Sequence, residues 1–585
     1  MSRRRIGGGV LLVLLAVLAI FTWQAISASR ALLGARQSGE LVQQRVRAGD
    51  FGGANRALSD LREHSRRAKD ATDGVLWDLG RHIPYVGRNI GAVQTVSRVL
   101  DTTTRVNAPI ALELSRAVDE GRLRPVRGRI DLAEVERLTP AVRRAATSID
   151  RASRDLASTS PGDLLFPFSD LVGTLQDQVE RARSAAAASA TAFELLPGML
   201  GKDGPRSYLL MIQNPAELRS TGGLPGSLAL LHVDHGKVTM GWQGSPADIA
   251  GGIAPVKLRR DTVQQFGPTV GTDLRDSLLT PDFPEAARIA LTMVEEARHV
   301  KLDGVVSVDP IALSEMMRGT GPVSVTGGVV LTADNVVPVL LNQTYQVLDT
   351  QEKQNDFFAA AARRVFDSVM AGRGNQQQAI RGLATAGSQH RVLVWSTHAD
   401  EQAVLAPTAV SGALTGQNGS SPEVGIYLND STAGKMDYYL QYRTTAVAVD
   451  CTADDAQDIR ATVALTSTMP TRFRTLSPWI LGDGQFAKQG DIAFNLRIYA
   501  PVGGKVTGLS VDGRGHSVTI DEHHGRRVAL LPMSLAPGQT VTVTADLRTG
   551  HGQAGDGMLS FTPGIVPAAN GVKIASACDQ PHAAR

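Results

Sequence analysis

Arg219, Ser220, Thr221, Gly222 and Gly223 are consecutive and offer a fixed cation, two hydroxyls and a backbone that another group can approach closely. That set suits an anionic oxygen ligand such as phosphate, which a guanidinium grips with two parallel hydrogen bonds and backbone amides cradle. The same residues also read as a tight turn whose arginine pairs with a nearby carboxylate such as Glu217. Asp248, Asp282 and Asp309 follow as groups that could orient the arginine or hold a divalent ion. On the anion-site reading, Arg219 faces a polar pocket shared with Asp248 or Asp309 rather than solvent.

The elements that must position these residues are legible around them. Tyr208 to Ile212 is an apolar run that reads as a buried strand, and Ser227–Val233 and Val238–Trp242 flank a short Asp/Gly turn, which signals a hairpin. A helix is expected from Pro284 to about Val300, a buried strand over Leu302–Asp309, a helix over Ile311–Arg318 and a strand over Val392–Trp395. Strands and helices alternating at this pace predict a central mixed α/β domain, residues 201–436. Asp430 and Lys435 flank a small-residue loop near its end, either lining a polar site or forming a solvated ion pair.

Residues 29–200 carry apolar positions at three- and four-residue spacing, such as Leu58 and Leu61, then Val135, Leu138 and Val142, and predict an α-helical stalk or bundle. Asp50 and Asp163 are placed to cap helices within it, and the cluster Trp77 to Gly87 reads as a packed interhelical turn, the alternative being a knot that docks on lipid headgroups or on the next domain. Ahead of the stalk, Arg3, Arg4 and Arg5 precede an uncharged run from Ile6 to Ile26 whose 21 positions match a bilayer span. Residues 1–28 are therefore expected to be a basic cytoplasmic tail and a transmembrane anchor. The charge bias leaves the bulk of the chain extracytoplasmic, as a single-pass plasma-membrane protein. A cleaved signal peptide ending near Ala25-Ile26-Ser27 is the rival reading.

From Asp437 the pattern changes to short alternating strands separated by Gly, Pro and Asp, which predicts an antiparallel β-sandwich over 437–585. Cys451 and Cys578 are the only two cysteines, without the spacing of a zinc or redox motif, and in an exported chain a disulfide between them would staple that domain. His516, His523 and His524 lie near Asp521 and Glu522, and read as solvent-facing groups on a charged hairpin; no metal is expected there.

Sixty basic and 57 acidic residues in 585 give a net charge of +3, without the concentrated basic face that nucleic-acid binding requires. The length predicts two to four domains. Gly-x-Ser-x-Gly, Walker and His-Glu-x-x-His motifs are missing from the sequence, so hydrolase and ATPase chemistry has no anchor.

Several collinear motifs, NPAELRSTGG before the hairpin, TPDFP, LDGVVSVDP with TGPV, VLVWS, and VGIYLND with KMDYYL, resemble the bacterial "domain of unknown function 4012" family over roughly residues 75 to 450. The resemblance implies a membrane-tethered, extracytoplasmic envelope protein and no assigned activity. The central domain is also similar, more weakly, to the LytR-CpsA-Psr family, which transfers glycopolymers from polyprenyl pyrophosphate carriers onto the cell wall. That similarity implies Arg219 as a phosphate clamp, Asp248 after the hairpin and a magnesium ion as cofactor. Gly222-Gly223 replaces the family's acidic step, Ala247 its arginine, and Arg363-Arg364 its spaced arginine pair. Together these expectations describe a binding or scaffold protein in envelope or exopolysaccharide assembly, with lipid-linked glycopolymer or cell-wall polymer as partner, and a glycopolymer phosphotransferase as the alternative.

Overall fold

A computed structural model describes residues 2–84, 86–165, 168–249, 253–414 and 419–578, with side chains from residue 19 onward. The chain divides into two compact units, one of residues 1–124 and 131–198, the other of residues 125–130 and 199–585.

The first unit is helical throughout: α1 (Ser2–Arg47), α2 (Phe51–Thr72), α3 (Val75–Gly80), α4 (Gly87–Thr102), α5 (Ala108–Asp119), α6 (Leu132–Ala157) and α7 (Phe168–Met199). Its periodic apolar positions bury as spacing dictates, with Leu58, Leu61, Val135, Leu138 and Val142 all in the interior. The Asp50 carboxylate accepts the Gly53 amide at 2.7 Å and caps α2. Asp163 lies instead in a 3-10 turn and pairs with Arg88 at 2.8 Å. Trp77 is buried against Phe21, ring centroids 5.0 Å apart, and its indole donates to Gln24 at 3.1 Å. Of the described residues from Trp77 to Gly87, only Trp77, Gly80 and Gly87 are buried while Leu79, Ile83 and Val86 are exposed, so the packed turn expected there is formed around Trp77 alone. Most of the uncharged run, Ile6–Ile26, lies outside the residues whose side chains are described. Among the described residues no helix is long and apolar enough to cross a membrane.

The second unit opens with a five-stranded sheet. Strands β1 (Arg206–Asn214), β2 (Leu224–Asp234) and β3 (Lys237–Gly244) form an antiparallel meander, with the β2–β3 turn carried by left-handed His235 and Gly236. Next come α8 (Arg260–Phe266), α9 (Phe283–Arg298), β4 (Gly304–Val308), α10 (Pro310–Thr320) and the small hairpin β5 (Val323–Ser324) and β6 (Val330–Leu331). After α11 (Val336–Pro338), α12 (Thr344–Val347), α13 (Gln351–Met370) and α14 (Gln376–Ser388), β7 (Val392–Ser396) completes the sheet. Its order is β3-β2-β1-β4-β7, with β4 parallel to β1 and antiparallel to β7. Leu209, Met211 and Val305 of the sheet pack with Phe283, Ile289 and Met293 of α9 in one core.

Past α15 (Ala399–Leu405), the chain forms β8 (Glu423–Asp430), β9 (Leu440–Cys451) and β10 (Gln457–Ser467), then α16 (Pro478–Leu481) and β11 (Ile492–Tyr499). It continues through β12 (Lys505–Val511), β13 (Arg514–Gly515), β14 (Thr519–His523), β15 (Arg526–Leu535), β16 (Thr540–Arg548), β17 (Gly557–Phe561) and β18 (Val572–Ile574). One sheet runs β13-β12-β16-β10-β9 and the other β14-β15-β11-β8-β17-β18, and inward residues of both, such as Leu496 and Val463, share a core. Two features depart from the expected sandwich. Its strands begin at Glu423 rather than Asp437, and β8 pairs parallel to β17 while the other pairs are antiparallel. Cys451 and Cys578 are joined by a disulfide with Cα atoms 4.9 Å apart, tying the end of β9 to the segment after β18.

Candidate functional site

The elbow after β1 is a plug between the mixed sheet and the sandwich. Leu218 belongs to the sandwich core, and its amide donates to the Asp437 carboxylate at 2.8 Å. The Ser220 amide donates to Asn429 at 2.8 Å, and Thr562 donates to the Ser220 carbonyl at 3.0 Å. The Asp430 amide returns a bond to the Leu218 carbonyl at 2.9 Å. The elbow is therefore tied to the end of β8 by one backbone bond and to the sandwich by three side chains, Asp437, Asn429 and Thr562.

Its glycines follow from crowding. A Cβ on Gly223 would stand 2.3 to 2.5 Å from the Asn214 carbonyl and the Pro215 nitrogen, and Gly222 takes φ 136° against Gln213 and Pro563. The Gly223 amide donates to the Gln213 side chain at 2.7 Å, so the donor expected to cradle an anion is engaged within the fold. Ser220 and Thr221 are buried, and the Ser220 hydroxyl donates to the Leu279 carbonyl at 2.7 Å.

Arg219 is buried, and each of its three guanidinium nitrogens has a partner. Nη2 lies 3.2 Å from Glu217 Oε1 and 3.7 Å from Asp276 Oδ1, Nη1 donates to the Leu218 carbonyl at 3.0 Å, and Nε donates to the Arg275 carbonyl at 3.3 Å. Lys435 Nζ meets the other oxygen of Glu217, so one carboxylate serves two cations. Burial alone raises the Glu217 carboxyl, but Lys435 and then Arg219 outweigh it and hold the group below its ordinary value. Two further carboxyls crowd the cluster. Burial, reinforced by Glu217, pushes Asp430 up to about 6, and burial with Asp430 pushes Asp437 well above the usual carboxylate range. Arg219 and Lys435 are both engaged by carboxylates of the cluster, so neither is left free to meet phosphate.

The expected partners of Arg219 lie in other hydrogen-bond sets. Asp248 is exposed and accepts from the Ser245 amide at 2.6 Å and hydroxyl at 2.9 Å in a capping box. Asp282 caps α9 through the Glu285 amide at 3.1 Å and also accepts the Leu414 amide at 2.8 Å. Asp309 caps α10 through Ala312 at 2.7 Å and pairs with Arg391 at 2.6 Å, both side chains out of solvent. The pocket shared by Arg219 with Asp248 or Asp309 is therefore not formed. Arg363 donates to the Met240 and Gly241 carbonyls at 2.6 and 3.1 Å, which ties α13 to β3 and leaves no paired-arginine clamp. Lys435 and Asp430, far from being a solvated loop pair, are the sandwich's contribution to the buried cluster.

A second polar cluster joins α9 to the β14–β15 hairpin. Glu285 Oε2 lies 3.3 Å from His524 Nε2 and 3.9 Å from His523 Nε2. Alternation along β14 turns His523 inward, fully buried, where solvent exposure was expected. Its Nδ1 contacts the Tyr499 hydroxyl at 2.9 Å, while Nε2 has no hydrogen-bond partner among the described residues. Thr262 donates to Glu285 Oε1 at 2.8 Å and Thr280 to Oε2 at 3.3 Å. Burial, then the His524 charge, pushes His523 down to about 3. Burial also acts to lower His524, but the Glu285 hydrogen bond and the charge of Asp282 raise it above its usual range. Glu285 itself is missed by sequence reasoning, being one of several acids on α9, as are Asp276 and Arg391.

A cleft of about 60 Å³ lined by Lys69, Arg81 and Arg98 among others occurs in the helical unit, and a depression of about 360 Å³ lies along Thr292–Lys301. Neither includes any of the expected anion-site residues.

A family model described as "Protein of unknown function (DUF4012)" matches residues 203–345. The match takes in β1 to β6, the elbow and Glu285, and ends at Tyr345, whose hydroxyl accepts from Asn214 at 2.5 Å beside the Glu217 cluster. It is narrower than the span over which the motifs resemble that family, and it leaves out Arg391, Asp430, Lys435, Asp437 and both histidines. No curated protein matches the chain.

Proposed function

We propose that this chain is a membrane-tethered, extracytoplasmic binding or scaffold protein of the cell envelope, not a glycopolymer phosphotransferase. The observation that carries the second half of this reading is the state of Arg219: its guanidinium is neutralised by Glu217 and Asp276 and capped by two carbonyls. A transferase needs a cation free to meet charge developing on pyrophosphate, and carboxylates converging on a magnesium ion. Here Asp248, Asp282 and Asp309 each have separate partners. The tethered topology is supported by the three arginines ahead of Ile6–Ile26, and export by the Cys451–Cys578 disulfide.

On this reading the helical unit acts as a stalk, and the sheet and sandwich, fused by the elbow, present one preformed surface to an envelope polymer or protein. The test is complementation of a deletion strain. A chain with Arg219→Met, confirmed at normal abundance, restores function, and a chain truncated after Asp437 does not. In intact cells, external protease removes a C-terminal tag and spares an N-terminal one. Loss of function in Arg219→Met at normal abundance overturns the scaffold reading, and a protected C-terminal tag overturns the topology.

A further inference from the structure

Glu285, His523 and His524 each present one ligand atom, and these atoms lie within 4.8 Å of one another. For a tetrahedral ion with bonds of about 2.0–2.1 Å, ligand atoms stand about 3.3 Å apart. The Glu285–His524 separation of 3.3 Å already has that value, and the Glu285–His523 separation of 3.9 Å approaches it. We propose that these three residues form a binding site for a divalent transition ion of zinc type, with a water molecule in the fourth position.

Two independent features support the assignment. His523 Nε2 is wholly buried, aimed at Glu285, and lacks a hydrogen-bond partner among the described residues. A buried orphan of this kind is costly unless something fills it. The outer contacts are those a metal centre uses: Tyr499 engages Nδ1 of His523, leaving Nε2 to present its lone pair, and Thr262 and Thr280 fix the two carboxylate oxygens. His524 sits at φ 51° and is followed by Gly525 at φ 70°, a left-handed pair forming the hairpin tip. The same left-handed pair closes the β2–β3 turn at His235 and Gly236, so here it is hairpin chemistry that sets where the imidazole stands.

Two imidazoles and one carboxylate form the mixed nitrogen and oxygen set that zinc accepts, whereas magnesium and calcium prefer oxygen alone. Asp261, which accepts the His524 amide at 3.0 Å, and Asp282 add negative charge around the cation, while Arg259 is held off by Asp261 at 2.9 Å. His524 is the partly exposed member, so exchange of the ion and entry of the water occur on its side. Because Glu285 comes from α9 and the histidines from the sandwich hairpin, the ion clasps the two halves of the second unit.

The experiment uses the full-length chain in detergent, without a polyhistidine tag, stripped with chelator and titrated with zinc chloride. The expected result is one zinc per chain by mass spectrometry after desalting, with a rise in the unfolding temperature. His524→Asn keeps a side chain that tolerates the left-handed backbone. It is expected to weaken zinc binding by about 100-fold and to abolish the rise in unfolding temperature that zinc produces. Tyr499→Phe, nearly isosteric, is expected to weaken zinc about 10- to 100-fold. Less than stoichiometric zinc in the folded wild-type chain, or undiminished zinc in His524→Asn, overturns the proposal.

Discussion

Glu217 and Arg219 face one another across Leu218 of the elbow, with Oε1 3.2 Å from Nη2 and both side chains withdrawn from solvent. Lys435 meets the second oxygen of the same carboxylate. This shared anion makes the two sides of the cluster unequal. Glu217→Gln takes the carboxylate from Lys435 and leaves Arg219 only Asp276 at 3.7 Å, and is expected to lower stability by about 3–5 kcal/mol. Arg219→Met leaves the Glu217–Lys435 pair in place and is expected to lose about 1–3 kcal/mol with its hydrogen bonds. Urea unfolding followed by tryptophan fluorescence measures both, and equal losses would refute the asymmetry.

Arg391 and Asp309 form the most deeply buried ion pair described, at 2.6 Å. Arg391 also donates to the Gly564 carbonyl at 2.5 Å, so the pair links α10 to the segment after β17. Asp309→Asn and Arg391→Met are each expected to cost about 3–5 kcal/mol. The double variant should cost less than the sum, with a coupling of about 0.5–3 kcal/mol in a denaturation cycle. Strict additivity would mean that the two groups act separately.

The carboxyls of Asp430 and Asp437 are both raised, by burial first and then by their acidic neighbours. A raised acid binds its proton more tightly in the folded state, so its stability contribution is full below the unfolded value near 3.8 and is lost as pH rises through the folded value, about 6 for Asp430. Asp437 adds a loss of the same sign. Asp437→Asn keeps the shape without the proton. It should match wild type at pH 4 and unfold at a higher temperature at pH 8; a lower unfolding temperature at pH 8 would contradict the assigned protonation.

The disulfide spans 127 residues, so its opening releases a large loop in the unfolded chain. Chain entropy for a loop of this size is worth about 4–5 kcal/mol, and measured effects range down to about 2. Dithiothreitol is expected to lower the unfolding temperature of wild type, and to leave a Cys451→Ser/Cys578→Ser chain unchanged. Equal sensitivity in both would place the effect elsewhere.

The elements of this fold follow local rules that sequence reading captures. The β2–β3 hairpin, the strand at Leu302–Asp309, the helix after Pro284 and the helical periodicity of Val135, Leu138 and Val142 all express turn chemistry or apolar spacing. The elbow is where that reading stops. Its arginine, hydroxyls and glycines have the composition of an anion cradle, but Asp437, Asn429 and Thr562, more than 200 residues away, take its amides and carbonyls. Gly223 is required by the Asn214 carbonyl, which no local pattern signals. The inward turn of His523 was not readable from β14, whose one apolar residue, Ile520, lies on the opposite face and is exposed; nor was its meeting with Glu285, because that contact spans 238 residues.

The account rests on Arg219 being bound within the fold, and a titration of polyprenyl phosphate tests this most directly. Full-length wild type and Arg219→Met are placed in lipid nanodiscs and titrated with the labelled lipid, with the unfolding temperature of each recorded alongside. The account predicts no saturable binding attributable to the protein in either chain, and a lowered unfolding temperature in the variant. Saturable binding by wild type that Arg219→Met abolishes without loss of stability would contradict it.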